Sequence, residues 1–419
     1  MQKIVIIFMI SMLAACAGHQ RETNKLANQL YQNNPQTILN QLQSSSPNER
    51  DYAQFHLNTG FLQFLVGDFP TAIETLTQAK KEMAVLEATS ISENAAAGTV
   101  NETLRSYSGY PTDRVMVHNV LALSYLFNDD IDGARVEMLQ ADIAMKKLAK
   151  KKSLVGQFAN THLLSGIIYE LLDEQSNALI SYKNSESIIK ARNLSVPVGL
   201  QQALLRMSFA VDRDGQYLSY NKLYSGFEKP LQNSNNKVFA IYFDGVVSSK
   251  IEKTVIVPSG NDDQLIRISV PAYPQSRYRV SRTKLTDATQ QISSELVENL
   301  EVSVREDLAK EYPSILLLTT TRAVAKYELV KEADKQDSLL GALVNLVTVL
   351  TEVADLRSWN MLPASVQFAY IETPDNQIIV NKNNSTPEQI TLQKNSRNLL
   401  LISSLEAPIF HYQQTSRSL

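Results

Sequence analysis

Apolar positions in the first half of the chain recur every three or four residues, in paired blocks separated by short polar turns. In Arg114–Ala144, Leu121, Ala122 and Tyr125 share one helical face. The acidic turn Asn128-Asp129-Asp130 follows, and Ala134, Met138 and Ala141 return at spacings of four and three. Tyr52–Leu86 has the same layout, with Gly60 on the first helix, Gly67-Asp68-Phe69 at the turn, and Ala72, Leu76 and Ala79 on the second. Gln157–Ile189 is a third copy, carrying Gly166 and Tyr169 before its turn and Ala178 and Tyr182 after it. In each copy two small residues stand twelve positions apart (Gly60 and Ala72, Ala122 and Ala134, Gly166 and Ala178), which predicts closely packed helix pairs. The flanks are weaker. Gln20–Ser45, with sparse Leu26, Leu30, Ile38 and Leu42, predicts a short pair after a tether, and Gly199–Tyr224 predicts a degenerate closing pair. Ala88–Asp113, rich in Ser, Asn, Ala, Gly and Thr, reads as a loop or a short extra helix.

The texture changes at Ser225–Lys237, which reads as a linker. Val238–Val247, Lys253–Pro258 and Leu265–Ala272 then predict strands, with shorter ones at Tyr278–Ser281 and Gln290–Ile292. Helices follow. Ser294–Lys310 places Leu296, Leu300, Val304 and Leu308 four apart, and Pro313–Lys335 opens with a proline where a first turn tolerates one. Ser338–Ala354 is nearly apolar all round. At 17 residues, with Asn345, Thr348 and Glu352 inside it, it predicts a buried central helix rather than a membrane-seeking one. After Trp359 strands return at Val366–Ile371, Gln377–Val380, Gln389–Leu392 and Leu399–Ser403.

The order large, small, aromatic on one helix and small, large, small on the next resembles the tetratricopeptide (TPR) repeat. The anchors lie 62 residues apart from Ala72 to Ala134 and 44 from Ala134 to Ala178, so both connections are longer than the usual repeat of ~34 residues. The expected fold is an α-helical TPR-like solenoid over residues 51–228, preceded by a tether and first helices over 16–50. An α+β domain follows over 236–419, with helices inserted between two strand groups.

Composition narrows the class of job. A net charge of -3 over 419 residues argues against a nucleic-acid partner, which would call for a basic stripe. One cysteine, Cys16, excludes an intramolecular disulfide and a cysteine metal cluster. Its position is informative. Lys3 precedes the nine-residue apolar run Ile4–Met12, too short to span a bilayer, and the run ends in Leu13-Ala14-Ala15-Cys16. This resembles the bacterial lipobox. The resemblance implies a signal peptide over 1–15 and recognition of Leu13, Ala14 and Ala15 by the lipoprotein signal peptidase. It also implies a diacylglyceryl group on the Cys16 thiol and a further acyl chain, such as palmitate, on its amino group. Ala17 in place of an aspartate implies the outer membrane, on its periplasmic face. No cofactor is expected beyond that covalent lipid.

Catalytic signatures are sparse. The chain has no GxxxxGK[ST], HExxH, GxSxG or GxGxxG motif. Ser281-Arg282-Thr283-Lys284 and Ser187-Ile188-Ile189-Lys190 match SxxK without SDN or KTG partners, as chance would supply. His56, His118 and His162 each precede the small residue of their repeat by four. Successive repeats stand at least ~8–10 Å apart, so these histidines read as packing residues rather than ligands of one metal. The lysines of Met145–Lys152 read as a solvated helix end, and Glu306/Asp307 as an exposed, solubilising pair.

Two further stretches carry a family likeness. One is Tyr107-Ser108-Gly109-Tyr110-Pro111-Thr112-Asp113-Arg114-Val115, leading into His118. The other is Ala354-Asp355-Leu356-Arg357-Ser358-Trp359 with Leu362-Pro363-Ala364 and Gln367. Together they resemble a family of bacterial TPR-containing outer-membrane lipoproteins of uncharacterised function, over about Tyr52 to Ser403. The family supplies no catalytic or metal residues. Trp359 reads as the packing anchor between the repeats and the second domain. The expectation is a non-enzymatic, membrane-anchored periplasmic scaffold that binds protein partners of a cell-envelope assembly through a groove in its repeats, serving cell-wall synthesis, secretion or a surface structure. The alternative is a peptidoglycan- or polysaccharide-binding or processing module in the α+β domain.

Overall fold

A computed structural model of the chain describes residues 20–99, 105–150, 153–227, 235–258, 265–336, 338–382 and 386–415; Leu13 to Cys16, the stretch that resembles a lipobox, lies outside them. The first half is helical and a sheet-containing region follows. The helices are α1 (20–29), α2 (Pro35–Gln43), α3 (Tyr52–Val66), α4 (Phe69–Thr99), α5 (Pro111–Phe127), α6 (Ile131–Leu148), α7 (Ala159–Leu171), α8 (Gln175–Ala191), α9 (Val198–Val211) and α10 (Gln216–Leu223). From α3 onward they pack as successive pairs, each pair against the next.

Local chemistry sets the turns. Gly67 ends α3 at φ 89°, a conformation L side chains rarely adopt, and the Asp130 carboxylate accepts from the Gly133 N–H to start α6. Within each pair the small residue of the first helix is a notch for a large residue sixteen positions on. A Cβ on Gly60 would lie 2.6 Å from Leu76 Cγ, and one on Gly166 would lie 2.4 Å from Tyr182 Cε1. Ala122 and Met138 occupy the corresponding positions, both buried. Ala72, Ala134 and Ala178 are themselves fully buried. Tyr125 lies over Gly133, and the Arg135 guanidinium is 5.9 Å from the Tyr169 ring. After Leu86, where a loop or a short extra helix is expected, the helix α4 itself runs on to Thr99.

The second half is built from β1 (Asn236–Asp244), β2 (Ile251–Pro258), β3 (Leu265–Ala272), β4 (Lys284–Thr286), β5 (Gln291–Ser293), β6 (Glu295–Asn299), α11 (Leu300–Gln336), α12 (Ser338–Thr351), β7 (Ser365–Thr373), β8 (Gln377–Asn381), β9 (Glu388–Thr391), β10 (Ser396–Ser403) and β11 (Phe410–Thr415). A five-stranded sheet has the order β11-β10-β1-β7-β6, a four-stranded sheet the order β5-β4-β8-β9, and β2 pairs with β3 alone. β1 is the hub, parallel to β10 and antiparallel to β7. The two-residue period of its strands splits the core in two. Phe239, Ile241, Phe243, Val366, Phe368, Tyr370, Leu399 and Leu401 face the helical half, whereas Val238, Ala240, Tyr242, Ala369, Ile371, Leu400 and Ile402 face the four-stranded sheet.

Four expectations for this half change. Residues 295–299 are an edge strand on β7, not the start of a helix: Val297 is buried in the main core, and β7 supplies the backbone partners. Tyr278–Ser281 is not a strand, because Asp244 at the end of β1 takes hydrogen bonds from the Tyr278 hydroxyl and the Ser281 N–H. Pro313 lies inside one continuous helix rather than between two. Leu308 and Ile315, on either side of it, both pack on Val270 of β3 and hold the helix together across the lost hydrogen bond. Helix α12 is not central. It packs on α11 and β3 and leaves Leu343 and Leu346 about half exposed, at 51% and 55%.

The notch predicts its own test. Alanine is the better helix former by ~1 kcal/mol, yet Gly166→Ala should lower stability by about 1–3 kcal/mol through overpacking against Tyr182, read by urea unfolding. An unchanged or raised midpoint would show that no notch exists.

Candidate functional site at the helix–sheet junction

The face that the first helices of each pair would offer a partner is covered by the chain's own second half. Phe61 meets Phe243 at 6.4 Å and Trp359, edge-on, at 6.1 Å. Phe64 and Phe127 both meet Phe410, at 5.8 and 5.6 Å. Trp359 is thus enclosed between α3 and the sheet, with 1% of its surface exposed. Gly199 brings α9 so near β7 that a Cβ would lie 2.7 Å from the Phe368 ring. Gln63, Asn119 and Asn160, polar repeat positions that read as exposed, are buried. Three amides form a ladder through the same face. Asn58 Nδ2 donates to Asn360 Oδ1 at 3.1 Å, Asn360 Nδ2 to Asn24 Oδ1 at 2.6 Å, and Asn24 Nδ2 to the Lys250 carbonyl at 3.3 Å.

Three carboxylates from one short stretch hold the halves together. Each accepts a backbone N–H at the start of a first helix: Thr112 of α5 donates to Asp307 at 2.9 Å, Ala159 of α7 to Glu298 at 2.8 Å, and Val198 of α9 to Glu295 at 2.7 Å. A helix N-terminus presents unsatisfied N–H groups and a partial positive charge, so an acid there meets both needs. Burial pushes the Glu298 carboxyl up to about 7, against the pull of Arg192 and the Ala159 N–H. Burial also pushes Asp307 up to about 7, against its hydrogen bonds from Thr112 and aided by the neighbouring Asp113 and Glu311. Asp307 is therefore a buried cap, not a solubilising residue. It falls on the face of Leu300, Val304 and Leu308, and that register was a signal available in the sequence.

The two stretches with a family likeness meet at Arg357. Its guanidinium donates to Asp51 at 3.0 Å, to Asp355 at 2.9 and 2.7 Å, and to the carbonyls of Arg50 and Arg105, and it lies 5.7 Å from the Tyr107 ring. Asp355 stays below the usual carboxylate range, because Arg357 outweighs its burial. Lys250 donates to the Arg357 carbonyl at 2.9 Å and sits 3.7 Å from the Tyr110 ring, and burial pulls its ammonium down to about 8. At the other end of the junction Glu170 accepts from Arg206 Nε and Nη2, each at 3.1 Å, and from the Tyr182 hydroxyl at 2.8 Å, while Arg206 lies 4.1 Å over Tyr370.

One open concavity borders this junction. A groove of about 450 Å³ runs between α4 and α6 over α5. Met83, Ala84, Val117, Ile143, Ala144 and Leu148 make its apolar walls, with Lys80, Lys81, Arg114 and Lys147 around them. Lys80 is paired with Glu137 at 2.7 Å, whereas Lys81 and Lys147 have no carboxylate within ion-pair reach among the described residues.

The repeat histidines stay apart. His56 pairs with Glu82 at 3.0 Å and His118 with Glu137 at 2.7 Å, while burial pulls His162 down to about 4. No cluster of His, Cys, Asp and Glu suited to a metal occurs among the described residues. Of the SxxK serines, Ser281 is bound to Asp244 and Tyr242, and Ser187 is exposed on α8.

No protein-family model matches the chain, and no curated relative matches it. Among solved structures, a match is the Rap conjugation gene regulator of the plasmid pLS20 in complex with a Phr peptide, at 13% identity and a TM-score of 0.27. It covers 45% of this chain and 45% of that one, and a likeness so low carries no argument.

The buried caps predict a pH dependence. Folded Glu298 binds its proton more tightly than an unfolded glutamate, whose carboxyl titrates near 4.5. Its contribution to stability is complete below that value and is lost as the pH rises from about 4.5 to about 7. Glu298→Gln keeps an acceptor for Ala159 and removes the titration. The stability of the wild type relative to this variant should therefore fall by up to about 3 kcal/mol over that window in urea unfolding. Parallel profiles would refute the buried-acid assignment.

Proposed function

We propose that the helices form a TPR-like solenoid and that the protein is a lipid-anchored, periplasmic scaffold of the bacterial cell envelope, held by Cys16 at the outer membrane. The observation that carries the scaffold reading is the groove over α5, because the face of the first helices is already filled. Its size suits an inserted apolar side chain, and Lys81 and Lys147 favour acids beside it. The partner is then a segment of another envelope protein with an apolar anchor flanked by carboxylates. The buried acids at the junction, which a polysaccharide-processing site could have used, are engaged as caps for helices of the first half.

A photoreactive amino acid at Ala84 or Ile143, in the groove, should capture one discrete envelope protein in living cells. The same probe at Ile180, exposed on α8, should not. Charge reversal by Lys81→Glu with Lys147→Glu should reduce the capture at least tenfold. Equal capture from all three positions, or adducts with cell-wall fragments alone, would sink the scaffold reading.

A further inference from the structure

Helices α11 and α12 pack on each other and on the β2–β3 pair, forming an arm with an uncharged stretch on both helices. α12 has no charged residue in its 14 positions. On α11, residues 313–325 hold one charge, Arg322. It is 1% exposed, donates to Glu352 at 3.1 Å and so is closed inside the arm, where Lys326 reaches the same carboxylate at 2.7 Å. The outer surface instead shows Leu317 at 69% exposure, with Val324, Leu343 and Leu346 each more than half exposed.

The root of the arm lies beside the place where the N-terminal tether enters the fold. Gln20 Oε1 accepts from the N–H of Leu356, five residues beyond the end of α12. Asn24 donates to the carbonyl of Lys250, the residue before β2. Both ends of the arm therefore start next to the first described helix. Cys16 is four residues from Gln20, a link that reaches at most ~14 Å. α12 is itself ~21 Å long.

We propose that this arm lies along the phospholipid surface as a second membrane contact beside the lipid on Cys16. The proposal rests on the anchor reading above. A lipid at Cys16 fixes the arm's root within ~14 Å of the bilayer, nearer than the arm is long, and the uncharged flank then meets lipid. The arm lies on its side rather than entering end-on. Its far end carries Lys331, Glu332, Asp334 and Lys335, which the hydrocarbon excludes, and no helix among the described residues is long and apolar enough to cross a membrane.

The test uses the full chain extracted from membranes, with Leu343→Cys or Leu346→Cys labelled by a polarity-sensitive maleimide dye and Ile180→Cys as control. The protein is reconstituted into phosphatidylethanolamine–phosphatidylglycerol vesicles with brominated acyl chains. Labels at positions 343 and 346 should be quenched at least threefold more than the label at 180. Equal quenching at all three would overturn the proposal. So would a blue shift at 343 and 346 that arises without lipid and grows with protein concentration, since it would make a second copy the occupant. The label count separates the two readings: a lipid-alkylated Cys16 takes no dye, so one dye per chain is expected. Two would refute the anchor, and the quenching ratio would still decide whether the arm meets lipid.

Discussion

The structure depends on carboxylates of the second half reaching the starts of helices in the first. An α-helix leaves its first N–H groups unbonded, and water ordinarily satisfies them. Here the starts of α5 and α7 are enclosed, so the partner must come from the protein, and Asp307 and Glu298 provide it. The dependence is mutual. Without the helix N-terminus each acid would be a buried charge with too few partners. Arg357 adds the same logic in the other polarity, closing the start of α3 through Asp51 and the Arg50 carbonyl. Removing one member of such a buried set leaves the others unpaired, at a typical loss of ~3–5 kcal/mol. The halves are therefore one folding problem.

The two-sided sheet follows from this arrangement. A sheet with one face on helices and the other on a second sheet needs apolar residues on both faces, and β1 (Val238-Phe239-Ala240-Ile241-Tyr242-Phe243), β7 at Phe368–Ile371 and β10 at Leu399–Ile402 have them. The face where helical repeats commonly take a ligand is consequently part of the core. Apolar surface in reach of solvent is left at the groove over α5 and on the flank of the arm.

How far the sequence foretold this varied with the length scale of the signal. The helix pairs were legible because Gly60, Ala122 and Gly166 mark a contact only sixteen residues long, to Leu76, Met138 and Tyr182. The strands were legible from local β-branched and aromatic runs. What failed depended on distant partners. The face around Gln63, Asn119 and Asn160 reads as open because nothing local says that strands some two hundred residues on will cover it. Residues 295–299 carry a helical spacing through Leu296 and Leu300, yet β7 captures them. Asp307 looks like any surface acid until the start of α5 arrives beside it. Ser338–Thr351 looks like a core helix because hydrophobicity reports the wish to leave water and not what will satisfy it. Trp359 stood out by composition alone, and its neighbour Phe61 could not be named in advance. Leu13 to Cys16 rest on their sequence alone, since they lie outside the described residues.

Charge completes the contrast between what holds the fold and what is left for other molecules. Arg206, Arg322, Arg357 and Lys250 are buried, and each is paired with a carboxylate or bound to a carbonyl, because an ion taken out of water must find its partner within the protein. Lys81 and Lys147 face solvent at the rim of an apolar groove and need no such partner, and Lys147 stands in the last turn of α6, where the helix dipole favours a cation. The middle of the arm shows the reverse: Arg322, Lys326 and Glu352 pair inside it, while Leu317, Leu343 and Leu346 are turned out. In water that arrangement is unfavourable by ~25 cal/mol for each Å² of apolar surface left uncovered. Against a bilayer such a flank would be favourable, because the charges in its middle are already paired within the arm.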